Sequence, residues 1–200
     1  MKKIIIVIAI VILALGTSVF VFSQKDDVPP AEKIGSPVQS QSSPKSLVNK
    51  SFPSLTDFTA NTLDGETFTK DNFMGFDVTV VNIWGTYCGP CREEMPQIGA
   101  FSKTLPKNVQ FITICVDAQQ QRSDANSILS SAGFDGITLI SGTDDLVDLV
   151  NKIRYVPTTL FFDSEGVCVG EEIIGSQSDV ASVYTERINS ILNEMGKESL

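Results

Sequence analysis

Cys88 and Cys91 are separated by two residues in the run Trp84-Gly85-Thr86-Tyr87-Cys88-Gly89-Pro90-Cys91-Arg92. Paired thiols at C-x-x-C spacing suit thiol–disulfide exchange, in which a thiolate attacks a sulfur of another disulfide. The preceding residues, Val78-Thr79-Val80-Val81-Asn82-Ile83, are mostly apolar and β-branched. They read as a buried strand running into a turn that opens a helix. The first thiol then lands at the positive end of that helix, where its anion is favoured.

Other chemistries are narrowed by what the chain lacks. It contains no histidine among its 200 residues, which removes His-based triads, His general bases and most zinc or copper sites. Of its four cysteines only one pair has C-x-x-C spacing, and a structural zinc site would want a second pair. No metal or other cofactor is expected. The formal net charge of −9 and the lack of a basic patch argue against nucleic acid as a partner.

The elements that must position the cysteines follow from the pattern of residues. Leu63-Asp64-Gly65 between β-prone runs signals a hairpin. Val78–Trp84 is too continuously apolar for a half-exposed strand and belongs at the centre of a sheet covered on both faces. A helix is predicted over 89–105, with Pro96 kinking it. A second buried strand covers 109–116, then a short helix capped at Ser123 or Asp124 and ended by Gly133. A strand at 137–140, a helix at 144–152, a strand at 156–162 and an antiparallel neighbour from Val167 come next. Val180, Val183, Tyr184, Ile188, Ile191 and Leu192 give a last helix its apolar face. The order β-β-β-α-β-α-β-α-β-β-α implies an α/β domain, a mixed sheet with helices on both faces.

The first fifty residues do not fit that core. Ile4–Phe22 is a run of 19 residues without charge, and as a helix it would span about 28 Å, close to the hydrocarbon thickness of a bilayer. Lys2 and Lys3 precede it, whereas Lys25 is followed by Asp26 and Asp27, so the remainder of the chain is expected outside the cytoplasm. Residues 1–23 are read as a signal anchor. Cleavage after Ala14-Leu15-Gly16 or Val21-Phe22-Ser23 would instead release a secreted protein. Residues 24–50, rich in Ser, Pro, Gln and Lys, are read as a disordered linker with a reach of roughly 30 Å. Residues 51–200 form the folded domain.

The string Val81-Asn82-Ile83-Trp84-Gly85-Thr86-Tyr87-Cys88-Gly89-Pro90-Cys91-Arg92-Glu93-Glu94-Met95-Pro96, with Val156-Pro157-Thr158-Thr159 downstream, resembles the thioredoxin fold. Within that fold it looks like the membrane-anchored TlpA/ResA-like branch, a likeness that covers residues 51–194. The resemblance implies a three-layer thioredoxin-like fold with an N-terminal β-hairpin. It also implies that the bond before Pro157 is cis and faces a Cys88–Cys91 disulfide, leaving the Val156 backbone to bond an extended substrate strand. In this reading Cys88 is the nucleophile, and Cys91 resolves the mixed disulfide. Gly89 and Pro90 set and stiffen the turn between them. Trp84 and Tyr87 shield the disulfide and shape a docking surface, or simply pack.

Glu94 falls three residues after Cys91, where the branch carries an acidic residue. If desolvated it would titrate high and exchange protons with Cys91; if exposed it is only a dipole-favoured surface residue. Cytosolic thioredoxins carry a buried aspartate where this chain has Asn82, which cannot titrate. In the thioredoxin strand order Cys115 and Cys168 lie roughly 14 Å apart, beyond disulfide reach, and are expected to be buried small side chains.

The resemblance implies a protein-disulfide reductase at the outer side of the cytoplasmic membrane, supplied with electrons by a membrane thiol donor. Its partners would be oxidised proteins such as apocytochrome c or methionine sulfoxide reductases. A disulfide-forming oxidase is the alternative, although Gly-Pro between the cysteines resembles the reducing proteins. A peroxidase of the peroxiredoxin type would need P-x-x-x-T-x-x-C, and Val81 and Gly85 stand at its proline and threonine positions.

Overall fold

The computed structural model describes residues 47–200. The anchor expected at 1–23 and all but the end of the linker at 24–50 lie outside the described residues. Among the described residues no helix is long and apolar enough to cross a membrane.

Seven strands form one sheet: β1 (Thr59–Thr62), β2 (Thr67–Thr69), β3 (Val78–Trp84), β4 (Val109–Cys115), β5 (Thr138–Gly142), β6 (Thr158–Phe162) and β7 (Cys168–Ile174). Their order across the sheet is β2-β1-β5-β4-β3-β6-β7. The pairs β3–β4 and β4–β5 are parallel, and the remaining pairs are antiparallel. All seven residues of β3 are buried. Alternate side chains of a strand point to opposite faces, so Val80, Asn82 and Trp84 look one way and Val81 and Ile83 the other.

The helices are α1 (Gly89–Ser102), α2 (Arg122–Ala132), α3 (Asp144–Lys152) and α4 (Val180–Glu194). Met95 and Ile98 of α1, Leu129 of α2, and Tyr184 and Ile188 of α4 pack with Val80 and Trp84 on one face. Leu146 and Leu149 of α3 pack with Val81, Ile83 and the phenylalanines of the hairpin region on the other. These are the three layers of the expected α/β thioredoxin-like architecture.

Several boundaries differ from expectation for local reasons. Leu47–Asn49, assigned to the linker, instead pair with β7: Asn49 N–H donates to Cys168 O (2.8 Å) and Gly170 N–H to Leu47 O (2.8 Å). A short 3-10 turn at Lys70–Phe73, not foreseen, buries Phe73 against Phe58, Phe68 and Phe162. Helix α1 stops at Ser102 because the Thr104 N–H and hydroxyl both turn back onto Phe101 O, at 2.9 and 2.7 Å. Helix α2 starts at Arg122, before either expected cap. A turn in which Gln120 and Gln121 donate to Asp117 O (3.0 and 2.9 Å) feeds directly into it. Gly133 ends α2 with φ 65°, as a left-handed cap requires.

Helices α1 and α2 cross at Gly99, where an added Cβ would sit 2.2 Å from Ala132 O. Backbone cannot give way there as a side-chain tip could. Gly99→Ala is therefore expected to cost about 1–3 kcal/mol through overpacking, read as a lower denaturant midpoint with an unchanged m-value. An unchanged midpoint would show that the crossing is looser than described.

Candidate active site

Cys88 follows a three-residue loop after β3 and is the N-cap of α1, with φ −85° and ψ 105°. Its sulfur accepts a hydrogen bond from the Cys91 N–H at 3.2 Å. A helix start leaves such donors without intrahelical partners, and here one of them is aimed at the reactive atom. Pro90 sits in the first turn, where its missing N–H costs the helix nothing. The two sulfurs are joined, with the Cα atoms 5.3 Å apart. Cys88 keeps 7 % of its surface exposed and Cys91 none, an asymmetry that leaves Cys88 as the sulfur a partner can reach.

The loop before β6 closes the other side. The Val156–Pro157 bond is cis, and Val156 O lies 3.5 Å from Cys88 Sγ. The loop is fixed by its own backbone: Thr158 Oγ1 donates to Tyr155 O (2.8 Å) and Gly175 N–H to Pro157 O (2.8 Å). Of the residues expected to meet a substrate, Tyr87, Gly89 and Pro90 are exposed, Val156 is half-buried and Pro157 is buried. Of the two roles open to Trp84, docking surface or packing, the structure shows packing, since it has no exposed area. It ends β3 on the α1 side, and its ring lies in the core with Cys88 and Cys91.

Glu94 is buried, 3 % exposed, because α1 packs it against the sheet and the segment leading into α4. The Gln177 N–H donates to Oε2 at 2.8 Å, and Asn82 Nδ2 to Oε1 at 3.4 Å. Desolvation raises its carboxyl above the ordinary value, and these two bonds offset only part of that. Asn82, fully buried, also donates to Thr159 Oγ1 (3.0 Å) and lies 3.5 Å from Tyr184 OH. Thr159 and Tyr184 are hydrogen-bonded at 2.8 Å. Burial, and then the nearby Glu94 charge, push the Tyr184 hydroxyl up. Asn82 Oδ1 has no hydrogen-bond partner. The amide can therefore serve both forms of Glu94, donating to the carboxylate or, once rotated, accepting from the neutral acid.

Sequence reasoning missed Thr159, Tyr184 and Gln177, which join Glu94 only through the fold. Cys115 and Cys168 are free and buried, on β4 and β7 with β3 and β6 between them. Burial pushes each thiol up to about 12, which leaves both inert as nucleophiles.

A model of the redoxin family matches residues 47–185. The chain belongs to that family. Thiol-disulfide oxidoreductase ResA of Bacillus thuringiensis is 27 % identical over 135 residues, covering 67 % of this chain and 73 % of the relative. Thiol-disulfide oxidoreductase YkuV of Bacillus subtilis is 24 % identical over 134 residues, covering 66 % and 88 %. The crystal structure of StoA from Bacillus subtilis superposes with a TM-score of 0.53 at 20 % identity, over 67 % of this chain and 98 % of that one. A DsbF homologue from Corynebacterium diphtheriae gives 0.57 at 17 % identity, over 69 % and 85 %. The chain is thus a thioredoxin-fold thiol–disulfide oxidoreductase of the TlpA/ResA-like kind. Its C-x-x-C pair, Cys88 and Cys91, forms the disulfide described above.

The burial of Glu94 has a consequence for stability. The unfolded chain releases this proton near 4.5, the folded chain higher. Below both values the group is neutral in either state. As pH rises past about 4.5 the unfolded state ionises first, and the fold loses stability until Glu94 itself ionises. Glu94→Gln is expected to gain stability relative to the parent between pH 4 and pH 7, measured by urea unfolding of the oxidised protein. A difference that does not change with pH would contradict the buried, high-titrating carboxyl.

Proposed function

We propose that this chain is an extracytoplasmic reductant of protein disulfides, held at the membrane by the apolar run at 4–22. The reading rests on one observation above all: the Cys88 sulfur is the N-cap of α1, with the Cys91 N–H pointed at it and the Val156 carbonyl beside it. In the reduced protein that donor and the helix dipole favour a Cys88 thiolate. The thiolate attacks one sulfur of a client disulfide, and the other leaves as a thiolate that takes up a proton. Cys91 then gives up its proton and attacks Cys88 Sγ. This releases the client's second thiol and closes the 88–91 disulfide. Two electrons and two protons pass to the client.

Glu94 serves as the proton partner of Cys91, from which it is one helical turn away. Burial raises its pKa above the ordinary carboxylate value, which makes it a better base for a thiol proton than an exposed glutamate. Val156 offers its backbone to an extended client segment, and Tyr87, Gly89 and Pro90 form the rim. A membrane thiol donor re-reduces the couple. Oxidised exported proteins are the clients, apocytochrome c and methionine sulfoxide reductases being the two classes to examine first. The Gly-Pro dipeptide supports the reducing direction.

Cys91→Ser in the full chain should stall covalently on its clients, and affinity capture followed by reductive elution should release them; recovery of no mixed disulfide contradicts the reading. Equilibration with glutathione should place the couple at about −270 mV or below, whereas about −120 mV would make the protein an oxidase.

A further inference from the structure

The loop 85–87 carries Cys88 yet belongs to no helix or strand. Its central residue, Thr86, is gripped twice by one side chain from elsewhere in the fold. The Thr86 N–H donates to Asp117 Oδ1 at 2.9 Å, and its hydroxyl to Asp117 Oδ2 at 2.5 Å. Both oxygens of the carboxylate thus hold one residue, fixing its backbone and its side chain together. Such charge-assisted, two-point contacts combine strength with direction.

Asp117 is itself firmly placed. It stands two residues beyond β4, whose ladder with β3 is extended by Val116 N–H donating to Trp84 O at 2.9 Å. Its own carbonyl accepts from Gln120 and Gln121 at 3.0 and 2.9 Å, the turn that starts α2. The Cys115 thiol donates to Oδ1 at 3.3 Å, which gives that otherwise inert cysteine a structural task. Burial works to raise the Asp117 carboxyl, but the bonds from the Thr86 hydroxyl, the Thr86 N–H and Cys115 outweigh it and hold it below the usual range.

We propose that Asp117 is a positioning residue for thiol–disulfide exchange: by clasping Thr86 it sets where the Cys88 sulfur stands at the head of α1. Cys88 is two residues from Thr86, and its N–H closes a turn onto Gly85 O at 3.1 Å. A loop free to shift would carry the sulfur away from both the Cys91 N–H and the Val156 carbonyl. The carboxylate's charge works in the other direction, since a negative group near a sulfur disfavours its thiolate. Geometry and charge therefore give opposite signs when Asp117 is replaced.

The inference rests on the exchange reaction proposed above, and its test begins from the reduced wild-type chain. Stopped-flow rates with dithiodipyridine, a small uncharged disulfide, report attack by Cys88 without any docking surface. Asp117→Ala should slow attack about tenfold, the scale of losing hydrogen bonds to a charged group. Thr86→Val, which keeps the charge and loses the hydroxyl prong, should slow it several-fold. Thr86→Ser, which keeps both prongs, should stay within about twofold of wild type. Asp117→Asn keeps an acceptor for the Thr86 N–H and should lie nearer wild type than Asp117→Ala. The double variant Asp117→Ala/Thr86→Val should be no slower than Asp117→Ala alone, because the two residues act through one contact.

Faster attack in both Asp117 variants would overturn the proposal in favour of a purely electrostatic effect. Unchanged rates alongside lowered unfolding midpoints would overturn it in favour of a purely structural one. Should Asp117→Ala not fold, the Thr86 pair decides alone: equal rates for Thr86→Val and Thr86→Ser reject the clasp. A wild-type chain that does not react at all would reject the exchange reading itself, an outcome distinct from every result on the variants.

Discussion

A single N–H pointing at a single sulfur organises this site. The bond from Cys91 N–H to Cys88 Sγ exists because Cys88 occupies the N-cap of α1, and it is the contact a thiolate would strengthen. A hydrogen bond to a charged group contributes about 1.5–3 kcal/mol, and the helix dipole up to about 2 kcal/mol at a partly buried site. Cys88, 7 % exposed, draws on both, and both act through the cap geometry. Sheet topology supplies that geometry. Strand β3 lies between parallel β4 and antiparallel β6, so its C-terminal end meets the segments following β4 and preceding β6. One carries Asp117 and the other Val156, and the segment bearing Cys88 is held between them.

Beneath the sulfurs lies a polar group of side chains inside an apolar layer. Glu94, Asn82, Thr159 and Tyr184 are all buried and hydrogen-bonded to one another. An ionised carboxylate in such surroundings is costly, and burial holds the Glu94 carboxyl above its ordinary value while Tyr184 stays neutral, so Glu94 is the titrating member of the group. Asn82 fits that arrangement. An aspartate in its place would set two carboxyls against each other, raising one of them strongly, whereas the amide bonds either form of Glu94.

Much of the fold was legible because its signals are local. Continuous apolar β-branched runs marked β3 and β4 as strands buried on both faces, and Asp64-Gly65 and Gly133 marked turns whose backbone few other residues adopt. The place of the Cys88–Cys91 disulfide at a helix start was legible from spacing and from the strand before it. The cis bond at Pro157 came from resemblance to a family; nothing in a lone Val-Pro dictates it. Less legible were properties set by residues distant in sequence. Glu94 near a helix start reads equally well as a surface acid, and its burial depends on Gln177 and Tyr184. Trp84, next to the motif, suited a surface role as well as packing, and it lies in the core because β3 is buried on both faces. Thr86 and Asp117 are 31 positions apart and meet only because β3 and β4 run parallel. Leu47–Asn49 looked like linker because an edge pairing made through backbone leaves no mark on side-chain composition.

The central claim is that the cap geometry makes Cys88 an anion more readily than an ordinary cysteine. Thiolate absorbance of the reduced protein, followed through pH with Cys91→Ser as background, measures that directly. Half-ionisation of Cys88 well below the free-cysteine value of about 8.5 is the predicted result. Ionisation at or above that value would contradict the account.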